Sequence, residues 1–129
     1  MAVCKKTEMI NKIDVFSRNT ILGNMLEIEN ASFLDDSIVS GKVLRVPFKA
    51  VLPSTEYEIG ALILEPGAEV KAHEHTEYLE TYSVISDKNM ILSPTNPKYE
   101  KFNYCAVGQQ HFIKNGNSYG VVIYTKIRV

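Results

Sequence analysis

From residue 41 onward the chain is one short β-rich run after another, each closed by a turn signal. No other feature restricts its fold as much. "KVLRVPF" (42–48) is bounded by prolines at 47 and 53. "YEIGALILE" (57–65) is nearly continuous in apolar residues, as a buried strand is, and Pro66-Gly67 then marks a turn. "EVKAHEH" (69–75) alternates, and "LETYSVIS" (79–86) is rich in β-branched and aromatic residues. "MILS" (90–93) runs into the loop signal "PTNPK", and "YEKFNYC" (99–105) sets Phe102 and Tyr104 between polar neighbours. "HFIKNGN" (111–117) ends in an Asn-Gly turn at 115–116, and "YGVVIYTKIRV" (119–129) is a long final strand. Many short strands divided by turns predict an all-β antiparallel sandwich or barrel.

The first forty residues follow a different pattern. "TEMINKIDVF" (7–16) predicts a short helix capped at Thr7, because Met9, Ile13 and Phe16 recur at roughly helical spacing. "NMLEIE" (24–29) reads as a strand, and "ASFLDDSIVS" (31–40) fits neither period. The chain is therefore divided into an N-terminal arm, 1–40, and a β domain, 41–129. Its 129 residues suit one hydrophobic core. A net charge of −1 with no basic run argues against nucleic-acid binding. No window approaches the roughly 18 apolar residues of a membrane span, and the N-terminus lacks the apolar stretch of a signal peptide. Cys4 and Cys105 are too few for a disulfide framework. The expectation is a soluble, cytoplasmic, single-domain protein.

"KAHEHTEYLE" (71–80) carries the chemistry. Residues i and i+2 of a strand share a face, so His73 and His75 project the same way and can approach one ion. Glu74 points oppositely. Glu77 shares the histidine face if the strand continues, whereas Glu80 needs a turn at about Thr76–Leu79 and a new strand near residue 80. The third histidine, His111, opens a strand just after Gly108. Two or three histidines plus one carboxylate is a recognised donor set for a divalent metal with open positions. The alternative is an ordinary charged surface strand.

These residues resemble the two motifs of the cupin superfamily, and in particular its small single-domain members. Gly67, His73, His75 and Glu80 fall at the positions of the first motif, with Asp87 in place of its closing glycine. Gly108, His111 and Asn115 match the second, where Glu100 replaces the first glycine and Ala106 the proline. The resemblance spans about residues 60–125. It implies a jelly-roll β-barrel binding one divalent metal ion (Fe, Mn, Zn, Ni, Co or Cu) through His73, His75, Glu80 and His111. It also implies a homodimer paired through the N-terminal strands.

Such a site suits an enzyme acting on a small organic molecule, with dioxygenase or isomerase chemistry. The alternative is a binding or sensing domain without catalysis, and fold alone does not choose between them. Tyr82 shares Glu80's face, while Gln109 and Asn115 share that of His111, so these three are candidate substrate-binding residues. Sequence gives no orientation for Arg45, Lys126 or Arg128, the cations that an acidic substrate would seek. Cys105 reads as a buried structural thiol.

Overall fold

The computed structural model describes residues 2–16, 20–49, 56–86, 89–94 and 102–129, without the side chains of 2–5 and 15. Asp87 and Glu100 lie outside them, as do most of the loop after Ser93 and the start of the 99–105 run.

The chain opens with a helix α1 (Ala2–Asn11), a 3-10 turn (Asp14–Phe16), a short helix α2 (Ile21–Met25) and a second 3-10 turn (Ile28–Asn30). Among the described residues ten strands follow: β1 (Ser32–Phe33), β2 (Val39–Ser40), β3 (Val43–Pro47), β4 (Tyr57–Leu64), β5 (Glu69–His73), β6 (Tyr78–Val84), β7 (Ile91–Ser93), β8 (Phe102–Cys105), β9 (His111–Lys114) and β10 (Gly120–Arg128). They form a six-stranded sheet, β1-β3-β4-β10-β6-β8, and a four-stranded sheet, β2-β5-β9-β7. Every ladder between them is antiparallel.

Among the described strands only the β3–β4 connection stays within one sheet; every other successive pair changes sheet. The Pro66-Gly67 and Asn115-Gly116 turns are therefore crossings, not hairpins. Gly67 has φ +76° and donates its amide to the Gly116 carbonyl, which joins the two crossings.

The inner faces of the two sheets enclose one core, which includes Val43, Leu62, Leu64, Val70, Val84, Ile113 and Val122. The outer face of the six-stranded sheet has its own. Met9, Ile10, Ile13, Phe16 and Leu26 of the arm pack on Leu44, Val46, Ala61, Ile63 and Val121. The unbroken apolar run in β4 follows directly: Leu62 and Leu64 face inward while Ala61 and Ile63 face the arm. Burying a side chain such as Ile13 or Phe16 contributes roughly 1.5–3 kcal/mol. Among the described residues no helix is long and apolar enough to cross a membrane.

Two expectations about the arm are corrected. The first helix begins at Ala2, so Thr7 lies inside it and is not its cap. The apolar stripe that packs on the sheet, not a capping hydroxyl, sets this helix. The cap is found at Thr20, whose Oγ1 accepts from the Gly23 amide at 2.9 Å at the start of α2. "NMLEIE" is not a strand: it holds the end of α2, an isolated bridge from Leu26 to Phe48 and a 3-10 turn. Leu26 is buried in the outer core, and that packing overrides the β-propensity of its neighbours.

Candidate metal centre

His73 ends β5 and faces His111, the first residue of β9, across the four-stranded sheet. The register between these strands slips by one residue from the Val70–Ile113 pair to the His73–His111 pair. The extra residue is a β-bulge. It leaves Lys71 and Ala72 exposed, and it brings both Val70 and His73 to the inner side although an odd number of positions separates them. His75 lies beyond the strand end. The chain then turns through residues 74–77 and enters β6 in the other sheet, where Glu80, Tyr82 and Val84 point inward.

The His73–His111 ring centroids are 4.2 Å apart, those of His73–His75 5.1 Å, and those of His75–His111 5.2 Å. One donor atom from each of His73, His75, Glu80 and His111 lies within 4.8 Å of every other. The rings are oriented by the backbone. His73 Nδ1 is 2.7 Å from the Lys71 carbonyl, and His111 Nδ1 is 3.3 Å from that of Gln109. A carbonyl only accepts, so each Nδ1 carries the hydrogen and each Nε2 keeps its lone pair.

Nε2 of His75 and of His111 is buried without a hydrogen-bond partner. His75 Nε2 does lie against Glu80 Oε1, but not in hydrogen-bond geometry. Tyr82 Oη donates to the other oxygen, Glu80 Oε2, at 2.5 Å. Two buried ring nitrogens without partners, that of His111 with its lone pair free, beside one carboxylate oxygen make a donor set that fits a divalent cation.

The electrostatics agree. Burial lowers the pKa of His111 below its ordinary 6.5, and the neighbouring His73 lowers it further, which favours the neutral, ligating form. Burial acts to raise the Glu80 carboxyl, but the adjacent His75 ring and the hydrogen bond from Tyr82 outweigh it and hold the group below 4.5. Cys105 faces Glu80 in the β6–β8 register. Burial, and then that carboxylate, pushes its thiol up to about 12, so Cys105 is a neutral buried thiol.

The cluster opens on a cavity of about 140 Å³ between the sheets. Leu34, Ile38, Leu62 and Val70 form its apolar wall, and Tyr82 lines it beside Glu80. Gln109 and Asn115 do not line it. The exposed Gln109 side chain turns back to accept from the Ala106 amide at 3.0 Å. Asn115 Nδ2 donates to the Leu64, Glu65 and Ser118 carbonyls at 2.8–3.1 Å, binding the two sheet crossings together. Glu77 pairs with Arg128 at 3.6 Å away from the cluster, and Glu74 is exposed.

The cavity also has polar residues that sequence reasoning left unplaced. Arg45, Glu58, Tyr124 and Lys126 line it. Arg45 Nη1 and Tyr124 Oη both donate to Glu58 Oε2. Arg45 is thus an inward cation, which the strand pattern alone did not reveal. The available signal was Gly60, a glycine inside an apolar strand. A Cβ there would meet the Tyr124 hydroxyl at 2.9 Å and the Val46 carbonyl oxygen at 2.5 Å. Glycine leaves the space through which Tyr124 reaches Glu58.

No protein-family model and no curated protein matches the chain. Solved structures do. A predicted oxalate decarboxylase from Thermotoga maritima is 17% identical with a TM-score of 0.62, covering 77% of this chain and 92% of its own. An acetylacetone dioxygenase from Acinetobacter johnsonii is 14% identical with a TM-score of 0.55, covering 77% and 68%. The cupin domain of Schizosaccharomyces pombe Cnp3 is 13% identical with a TM-score of 0.56, covering 80% and 72%.

The chain has the cupin fold.

His73, His75 and Glu80 of the first stretch that resembles a cupin motif are brought together with His111 of the second. The motif-bearing strands lie in both sheets, and the donor atoms meet between them.

Proposed function

We propose that the protein is a metal-dependent cupin enzyme acting on a small organic molecule, with His73, His75, Glu80 and His111 holding one divalent ion. The observation that carries this reading is the convergence of four donor atoms, two of them orphaned buried nitrogens, beside a ligand-sized cavity that His73, His75 and Glu80 line. A cavity near 150 Å³ takes a molecule about the size of benzene. A bound ion would supply Lewis acidity, or oxygen chemistry if it were iron. The residues around it have separate tasks. Tyr82 fixes one oxygen of Glu80, leaving the other for ligation. Leu34, Ile38, Leu62 and Val70 exclude water from the bound molecule. Acetylacetone dioxygenase and predicted oxalate decarboxylase among the structural neighbours support small oxygenated substrates and a dioxygenase-type or related reaction.

The test is elemental analysis by plasma mass spectrometry of protein purified without chelator, beside a His73→Ala/His111→Ala variant. About one ion per chain, lost in the variant, is expected. Absence of metal in the parent protein after reloading would overturn the reading. Metal-loaded protein that binds small molecules but converts none would make the cupin a binding domain.

A further inference from the structure

We infer that the ligand of this cavity is a small carboxylic acid, its carboxylate held by Arg45 and Lys126. The inference rests on reading the cavity as the substrate site and names the class of that substrate.

Three observations carry it. First, the antiparallel register sets Lys126 on β10 between Glu58 on β4 and Glu80 on β6, all in one row on the inner face. Second, Arg45 and Lys126 share this cavity wall with Glu58 and Glu80; Glu58 pairs with Arg45, and Glu80 is engaged by Tyr82 and the histidine cluster, so Lys126 is the cation left over. Among the described residues Lys126 makes no ion pair; its Nζ rests 4.5 Å from the centre of the Tyr78 ring. Third, Arg45 uses only Nη1 for Glu58, so further guanidinium hydrogens are free to bind a carboxylate. Tyr124 and Arg45 both load the same oxygen of Glu58, which fixes the carboxylate and with it the guanidinium.

Scale and charge select the class. Two strand spacings separate Glu58 from Glu80, about 10 Å. A molecule of a few carbons therefore reaches from the donor cluster to Arg45 and Lys126. Spare guanidinium hydrogens beside an ammonium without an ion pair match the two oxygens of one carboxylate in a cavity of this size.

The experiment is calorimetric titration of manganese-loaded protein with lactate and with lactamide, its neutral counterpart of equal size. Lactate is expected to bind at least tenfold more tightly. Lys126→Met, and separately Arg45→Met with Glu58→Gln to avoid a stranded buried carboxylate, are expected to erase most of that preference at unchanged manganese content. Equal binding of the two probes, or binding of neither, overturns the inference. So does a preference that survives both variants, since the ion alone would then account for it. Metal content measured on the same samples separates this failure from failure of the metal reading: a protein that takes up no manganese yet prefers lactate refutes the metal centre alone.

Discussion

The amide of Gly108 donates to the carbonyl of His75 at 2.8 Å. This bond ties the loop carrying one candidate ligand to the turn that precedes another, His111. Gly108 has φ +78°, a conformation that costs a residue with a Cβ about 1–2 kcal/mol. Gly67 has nearly the same φ, +76°, and a Cβ there would touch nothing within 4 Å. Gly108→Ala and Gly67→Ala are therefore expected to lower Tm by similar amounts, a few degrees. Only Gly108→Ala should also weaken metal binding, by about tenfold. Thermal melts and chelator competition on both variants check this.

Tyr82→Phe removes the hydroxyl that holds Glu80 Oε2 and little else. Loss of such a supporting hydrogen bond typically reduces metal affinity about 10–100-fold. The variant should fold normally by circular dichroism and release its ion at lower chelator concentration. Unchanged affinity would show that Tyr82 does not position the carboxylate.

The metal-free protein should lose stability in acid. The folded-state pKa of His111 lies below the ordinary 6.5, so below pH 6.5 the unfolded chain binds more protons than the folded one. Stability is then full above about pH 6.5 and falls as pH drops towards the folded-state value. Glu80, held below 4.5, adds a second loss of the same sign further down. In chelator, Tm should be level from neutral pH down to about 6.5 and then decline, less steeply in His111→Gln. Parallel declines in both proteins would assign the effect elsewhere.

Gly60→Ala should be among the most damaging single-methyl additions. Its Cβ would lie 2.5 Å from the Val46 carbonyl oxygen and 2.8 Å from Pro47 Cα, atoms of a paired strand that cannot swing aside. Overpacking of this kind costs about 1–3 kcal/mol. Denaturant melts measure that loss, and Tyr124→Phe on the same background shows how much belongs to the Glu58 hydrogen bond.

The clustering of His73, His75, Glu80 and His111 was legible because the spacings around them register chain length between strands, and the fold preserves it. Face assignment by alternation held on β6, where Glu80, Tyr82 and Val84 share the inner side, but not throughout. The bulge between Val70 and His73 adds a residue that no composition marks, whereas the turn before β6 that frees Glu80 from the histidine parity was expected from the spacing. Gln109 fails for a related reason: at the edge of a turn its carbonyl orients His111 while its side chain turns back on Ala106. Arg45 was legible as a cation but not as an inward one, because its direction depends on Glu58 and Tyr124, distant in sequence. In the arm, packing on the outer sheet face determined structure that local propensity misread at Leu26.

His73 and His111 belong to the four-stranded sheet and Glu80 to the six-stranded one. An ion shared among them would work as a rivet through two plates. Prying the sheets apart at that end would first require pulling the rivet. Each tenfold excess of ion over its dissociation constant would tighten the joint by about 1.4 kcal/mol. Slow hydrogen exchange in β5, β6 and β9 would then rise and fall together with metal supply, although only the ends of these strands touch the pin.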